Sequence, residues 1–319
     1  MFALHKFPLT KPLADKFREN VSGSRDGRPD WVLTIGQGSG EGLFGPNSAV
    51  WQVHGTIATL VGGVRALLLQ AAHPAPLSGV AEHSRYETDP LGRLAGTTRW
   101  LTVTTFAAEE VIAREAARVN AMHDHVKGNF TDKQGHEQSY KAKDPRFLLW
   151  VHCAFTDSFL KAHLALGYPI DKGADAYVAE WSKSAIPLGL TNAPMSVAEL
   201  EATLDDFRAH DLAHGERTDE VVRFILNPPF GGAGKFFYKV ISNAAIATLD
   251  QRELLASFAF PVLSIGGARD AIADPAIAGF AANCAANGTL LTMDTGHSPQ
   301  LENPAAYNEA LLAFLRNLT

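Results

Sequence analysis

The chain has 319 residues, 46% of them hydrophobic, with 28 Lys and Arg against 34 Asp and Glu for a formal net charge of −6. That is apolar material for one large globular domain or two small ones, and the acidic balance excludes the basic footprint on which nucleic-acid binding rests. Two cysteines, Cys153 and Cys284, are too few and too far apart for a disulfide framework or a thiolate cage, and as small buried hydrophobes they fit a reducing, cytoplasmic setting.

In chain order, the opening MFALHKFPLTKPLADKFRENVSG is broken by Pro8, Lys11, Pro12, Asp15 and Lys16, so a secretory leader is not expected. Residues 1–47, rich in Gly, Pro, Ser and charge, are expected to form an arm and an entry loop. The GQGSGEG within them lacks the Gly-Lys-Ser/Thr of a phosphate loop and reads as a flexible glycine loop. From Ser48 the pattern is helical, with apolar residues at three and four spacing through AVWQVHGTIATLVGGVRALLLQAA. The apolar run Ile57 to Ala72 carries Gly62, Gly63 and Arg65 and stops at His73-Pro74, short of the roughly 20 clean residues of a membrane span, so it predicts a buried helix and no transmembrane segment.

Further helices are predicted after Asp89-Pro90, over AAEEVIAREAARVNAMHDHVKG with its stop at Gly128, and from Asp144-Pro145 to Gly167. Others fall near 171–185, 196–213, 219–226 and 235–249. The last sixty residues change character: PVLSIGG and GTLLTMDTG read as short strands, each followed by a helix, at 275–286 and 304–318. The domain plan is therefore an arm over 1–47, a helical body over 48–255 and a βαβα tail over 256–319. The fold class expected is mainly α.

His73, His83, His123, Arg93 and Thr97 gather on QAAHPAPLSGVAEHSRYETDPLGRLAGT and VNAMHDHVKG. His123 shares its helix face with Val119, Met122 and Val126, whereas His125 points elsewhere. Periodicity alone favours a core histidine bonded to a carbonyl; the functional alternative is an axial ligand to a haem iron. His123 and His125 are two apart, which is poor spacing for a bare metal pair on a helix. Arg93 and Thr97 share a face as either a solvated Arg with a helical hydroxyl or a guanidinium facing a buried carboxylate such as a haem propionate. His73 and His83 are capping groups or pocket lining, and His152 belongs to a core network or a site.

FGPNSAVWQVHG, GVRALLLQAAHP, AEHSRYETDPLGRLAGT, MHDHVKG, YKAKDPRFLLWVH and APMSVAELEA, in that order from about Gly42 to Leu249, resemble the oxygenase family that includes the mycophenolic-acid oxygenase MpaB and the latex clearing protein (rubber oxygenase). The resemblance implies a globin-like helical body holding haem b. It places Arg93 and Thr97 on the family's Arg-x-x-x-Thr haem-pocket pair and His123 on the proximal iron ligand. His73, His83 and His152 are then expected to line the pocket. The family's lysine within the Arg-x-x-x-Thr segment, a distal ligand in some relatives, is missing, because Leu94, Ala95 and Gly96 stand there. The reaction implied is oxidation or cleavage of a lipophilic small molecule, isoprenoid-like or aromatic, with O2.

The tail resembles the end of an α/β-hydrolase, with Asp270 as the acid and His297 as the base. No Gly-x-Ser-x-Gly elbow supplies a nucleophile. Two strands leave open edges that call for a partner: the helical body, a second copy in a homo-oligomer, or a hydrolase subunit. An esterase using Asp270 and His297 and a non-catalytic haem-binding protein are the alternative functions.

Overall fold

A computed structural model of the chain describes residues 29–37, 40–83, 90–228, 232–249, 261–270, 278–279, 282–283, 285 and 287–317; side chains of 79–83, 90–95, 216, 232 and 233 lie outside that description. Among the described residues the fold is mainly helical with two small sheets, as the apolar periodicity predicts. The described residues within Met1–Ala213 and Glu220–Thr248 form one compact unit, and those within His214–Asp219 and Leu249–Thr319 a second.

The first unit opens with α1 (Asp30–Ile35) and α2 (Ala49–His54), where the hydroxyl of Ser48 caps α2 by accepting from Trp51 N at 3.1 Å. The helical pattern from Ser48 resolves into two helices: Gly55 ends α2, and α3 spans Ala58–Ala71, where the apolar run Ile57 to Ala72 predicts a buried helix. Then come α4 (Pro74–His83), α5 (Pro90–Phe106) and α6 (Glu109–His123). Asp144 accepts from Arg146 N at 2.8 Å, with Pro145 in the first turn of α7 (Pro145–Ala165), as the Asp-Pro pair predicts. α8 (Ala174–Trp181) runs into a 3-10 helix over Ser182–Leu188, and α9 (Val197–His210), capped by Ser196, α10 (Glu216–Leu226), which belongs to this unit from Glu220 on, and α11 (Gly232–Ala247) complete the series. Leu200, Leu204 and Phe207 are the buried face of α9.

Two features of the first unit are not expected from the sequence: the helix α1, which falls in the stretch read as arm and entry loop, and a β-hairpin after α6. α6 ends at His123 rather than at Gly128, and Lys127–Thr131 (β1) pairs antiparallel with Glu137–Lys141 (β2), so Gly128 sits in a strand opposite Tyr140. Asp132 makes the turn by accepting from Gln134 N and His136 N, and Gly135 takes φ 87° there. Tyr140 and Ala142 bury against Ala75 and Phe147, with Val126 and Phe130 packed beside them, which seats the hairpin over the start of α4 and α7.

The most intimate helix pairing joins α3 and α7. At Gly62 an added Cβ would lie 2.6 Å from the Phe159 ring and 3.0 Å from its Cα, so only glycine permits this approach. One turn on, Arg65 is fully buried and its guanidinium donates to Asp157 at 2.6 Å, Ser158 Oγ at 3.0 Å and Thr248 O at 3.2 Å. Lys161 Nζ lies 3.2 Å from the other Asp157 oxygen.

The second unit holds β3 (Val262–Gly267) and β4 (Gly288–Met293), parallel from Val262↔Gly288 to Gly267↔Met293, followed by α12 (Pro299–Glu302) and α13 (Pro304–Arg316). Both strands and the last helix fall where the sequence predicts them; the 275–286 helix lies largely outside the described residues, which are helical at 278–279 and 282–283.

Removing one member of a buried ion pair leaves the other charge without its compensation, at a cost of about 3–5 kcal/mol. Asp157→Ala is therefore expected to lower the melting temperature steeply, whereas Lys161→Ala, which removes a partly exposed partner, is expected to change stability by no more than about 1 kcal/mol. Denaturant unfolding of both variants checks the contrast.

Candidate functional site

α5 and α6 form a helical hairpin around the buried joint Ala107-Ala108. The joint is held from outside: Glu109 N donates to Glu41 O at 3.2 Å, and a Cβ at Gly42 would meet Ala107 O at 2.4 Å, so the glycine-containing loop lies directly on it. Glu109 and Glu110 occupy the first turn of α6 and His123 its last, the polarity a helix dipole favours.

Seven residues beyond Ala108, Glu115 is 2% exposed and fixes the pair of helices. It accepts from Arg99 Nε at 2.8 Å, eight residues before Ala107, and from Arg118 on its own helix at 2.6 Å. That match of offsets sets the two helices antiparallel and level. Arg93 and His123, 14 and 15 residues from the joint, are then each about 21–23 Å away from it at 1.5 Å per residue, at the open end of the hairpin. Thr97 lies one turn nearer and is half-buried. The Arg93 side chain lies outside the described residues.

His123 is half-buried, and its Nδ1 is buried with no hydrogen-bond partner among the described residues. Burial is the main cause that lowers its pKa from the usual histidine value; the Lys143 ammonium adds to this and Asp124 opposes it. The imidazole is thus neutral at neutral pH. Of the neighbours expected on its face, Val119 is buried and Val126 half-buried, but Met122 is 48% exposed, because α6 has already turned that residue toward solvent. His125 is exposed, as expected.

His73 is 1% exposed, and its Nδ1 accepts from Ala75 N at 3.2 Å, which caps α4 and leaves the proton on Nε2. That nitrogen has no hydrogen-bond partner among the described residues; its nearest described carboxylate oxygen is Asp211 Oδ1 at 3.9 Å. Phe147, Trp150 and Phe207 surround the ring at centroid distances of 5.6, 5.6 and 6.1 Å. Burial pushes its pKa down to about 4, with Asp211 raising and Arg146 lowering it. His83 is the last residue of α4, and its side chain lies outside the described residues. His152, in the middle of α7, is 9% exposed with Nε2 buried and unpartnered among the described residues; burial takes its pKa to about 4. The adjacent Cys153 is fully buried and its thiol is pushed up to about 12, first by burial and then by Asp157, so it is unreactive.

His54 escaped the sequence reading. Its two nitrogens lie 2.8 Å from Thr105 Oγ1 and 3.0 Å from Tyr177 Oη, and Phe159 and Trp181 pack on its ring at 5.1 and 4.6 Å. It ties α2 to α5, α7 and α8 as a satisfied core histidine, with its pKa down at about 3 through burial and then His163. Its place in VWQVH, three and four beyond Trp51 and Val50, was the available signal. A cleft of about 350 Å³ lined by Gly42, Phe44, Trp51 and Phe106 contains none of the expected site residues.

In the second unit Asp270 Oδ2 lies 2.9 Å from His297 Nδ1, each just beyond the C-terminal end of a parallel strand. The Asp270 side chain is 11% exposed and that of His297 51%.

A family model described as "ER-bound oxygenase mpaB/B'/Rubber oxygenase, catalytic domain" matches residues 51–255. No curated protein and no solved structure matches the chain. Among the described residues no three His, Cys, Asp or Glu side chains are grouped to hold a metal ion, and no helix is long and apolar enough to cross a membrane.

His54, His73 and His152 have folded pKa values of about 3, 4 and 4 against 6.5 unfolded. Their contribution is fully present above pH 6.5 and is lost as pH falls toward 4, because the unfolded chain takes up protons the folded one refuses. Stability is expected to drop between pH 6.5 and 4 by the order of 1 kcal/mol per pH unit for each histidine, with a shallower slope in His54→Gln. Melting temperatures across that window check it; a flat profile would contradict it.

Proposed function

The chain belongs to the MpaB and rubber oxygenase catalytic-domain family, and on that premise we propose that it is a haem b-dependent oxygenase acting with O2 on a lipophilic, isoprenoid-like or aromatic small molecule. The observation that carries this reading is the placement of His123: a neutral imidazole with a buried ring nitrogen that has no partner among the described residues, at the same end of the α5–α6 hairpin as Arg93 and Thr97. An axial ligand must offer an unprotonated nitrogen in a dry setting, and an imidazole whose charged form is disfavoured does so at neutral pH. The residues present therefore fit the group.

In this proposal His123 would hold the iron, and Arg93 would offer the planar guanidinium suited to a propionate. Thr97, one turn further along the same face, offers a hydroxyl. Haem bound there would supply O2 activation, while the protein supplies ligand, polarity and access. His152, His73 and His83 are proposed as pocket walls. His152 keeps a buried polar nitrogen with no partner among the described residues, a group that a bound molecule or an ordered water would satisfy. The Nδ1 of His73 is committed to capping α4, so only its Nε2 remains to meet a ligand. With Leu94, Ala95 and Gly96 in place of the lysine of some relatives, that segment would offer no lysine ligand to the group. The sparse cysteines support a reducing, cytoplasmic setting within the same proposal.

A second reading draws on the Asp270–His297 contact, an acid holding a base as hydrolases use it, though the sequence has no Gly-x-Ser-x-Gly nucleophile. Ester hydrolysis abolished by His297→Ala would favour it.

Purified protein titrated with haem is expected to take up one equivalent, and His123→Ala to weaken that binding by at least about tenfold, since even groups that merely support a ligand cost 10–100-fold. His152→Ala is expected to keep haem but alter substrate-dependent O2 uptake. Haem binding without O2 uptake on any isoprenoid or aromatic candidate would make the protein a binding module.

A further inference from the structure

Between Glu220 and Asp250 the chain carries no Asp or Glu, while Arg223, Lys235 and Lys239 add three positive charges, against a net −6 for the whole. α11 occupies the second half of this stretch. Its inward face is complete: Ile241, Ser242 and Ala245 are buried, and Phe237, Tyr238 and Ala244 pack on a core that includes Val61, Leu77 and Ala162. The helix nevertheless turns a second apolar pair outward, Phe236 at 76% and Val240 at 53% exposure. Those residues are four apart and form one stripe. Lys235 and Lys239, also four apart and exposed, run alongside it, and Asn243 extends it by one turn. Neither lysine has an ion-pair partner among the described residues.

A surface helix normally keeps its outer face polar, since exposed aromatic area is unfavourable in water. An apolar stripe bordered by cations is instead the pattern of a helix lying in a bilayer interface: the ring and the valine enter the headgroup–acyl boundary while the lysine stems lie along the apolar surface and their ammonium groups reach lipid phosphates. We propose that the outward face of α11, centred on Lys235, Phe236, Lys239 and Val240, docks the protein on membrane surfaces that carry anionic lipids. The patch is small, so the association is weak and reversible, as a single anchoring signal gives. The inference is independent of the oxygenase reading, because it uses no residue of the α5–α6 site.

The test is co-sedimentation of the full chain with phosphatidylcholine vesicles and with vesicles that also contain phosphatidylserine. Binding is expected to the second kind only and to weaken with added salt. Each lysine contributes about fivefold in partition, so Lys235→Glu with Lys239→Glu is expected to lower it at least about 25-fold. Phe236→Ser is expected to lower it about tenfold. Both changes lie on an exposed face and should leave melting unaltered, and haem uptake serves as a separate control. No binding to the anionic vesicles, or equal binding by the variants, overturns the proposal. So does self-association that Phe236→Ser abolishes, which would give the face to a second copy. A polarity-sensitive dye on Phe236→Cys, in a Cys284→Ser chain, is expected to report water before vesicles are added and an apolar setting afterwards. An apolar report from the start would mean that the chain itself covers the face, and would also overturn it.

Discussion

The helical unit depends on one buried contact, the Arg65 guanidinium against the Asp157 carboxylate, at the place where Gly62 lets α3 reach the backbone of α7. Charge and shape act together there. The close approach excludes water, and exclusion of water makes an unpaired charge intolerable. The contacts Gly62 to Phe159, Arg65 to Asp157 and His73 to Trp150 run in opposite directions along the two helices, so α7 is locked antiparallel to α3 over its length. Each end of α7 then meets a buried histidine: His73 among Phe147, Trp150 and Phe207 at the start, and His54 against Phe159 toward the end. Because α7 is buried on several sides, the Nε2 of His152 loses water without gaining a partner among the described residues.

The α5–α6 hairpin uses the same physics on a smaller scale. Glu115 is a buried carboxylate held by two arginines whose own side chains stay partly in water, so the desolvation penalty falls mainly on one group. The rigid register that results is what makes the sequence positions of Arg93, Thr97 and His123 a statement about space. The ligand reading of His123 rests on that register together with its buried, unpartnered nitrogen. His54 provides the contrast: a histidine more deeply buried, but satisfied at both nitrogens and therefore a joint of the core.

What the sequence revealed was decided by local chemistry. The Asp144-Pro145 start of α7 and the glycine Gly167 beyond it are local devices that stand where they were expected, and Ser196, read as the start of its helix, is the cap of α9. The β1–β2 hairpin was missed because KGNFT and EQSYK are polar on both faces and alternate weakly; the buried anchors are Tyr140 and, in part, Phe130, and the Asp132–Gly135 turn between them was the readable sign. Glu115 and Arg65 could not be read as buried, since their burial depends on partners sixteen and ninety-two residues away. Of the expected site residues, Thr97, His123, His73 and His152 have described side chains, and His73 caps α4, one of its two expected readings. In the tail, Asp270 and His297 met as the strand order required, because parallel neighbours bring the loops after both strands to one edge.

The central claim is that His123 is the iron ligand, and loss of colour in a variant does not by itself separate ligation from folding. Chemical rescue does. In His123→Gly, haem binding and its Soret band are expected to be lost and then restored by free imidazole, which can enter the vacated space and supply the missing nitrogen. A His123→Gly protein that keeps the wild-type haem spectrum without imidazole would contradict the assignment.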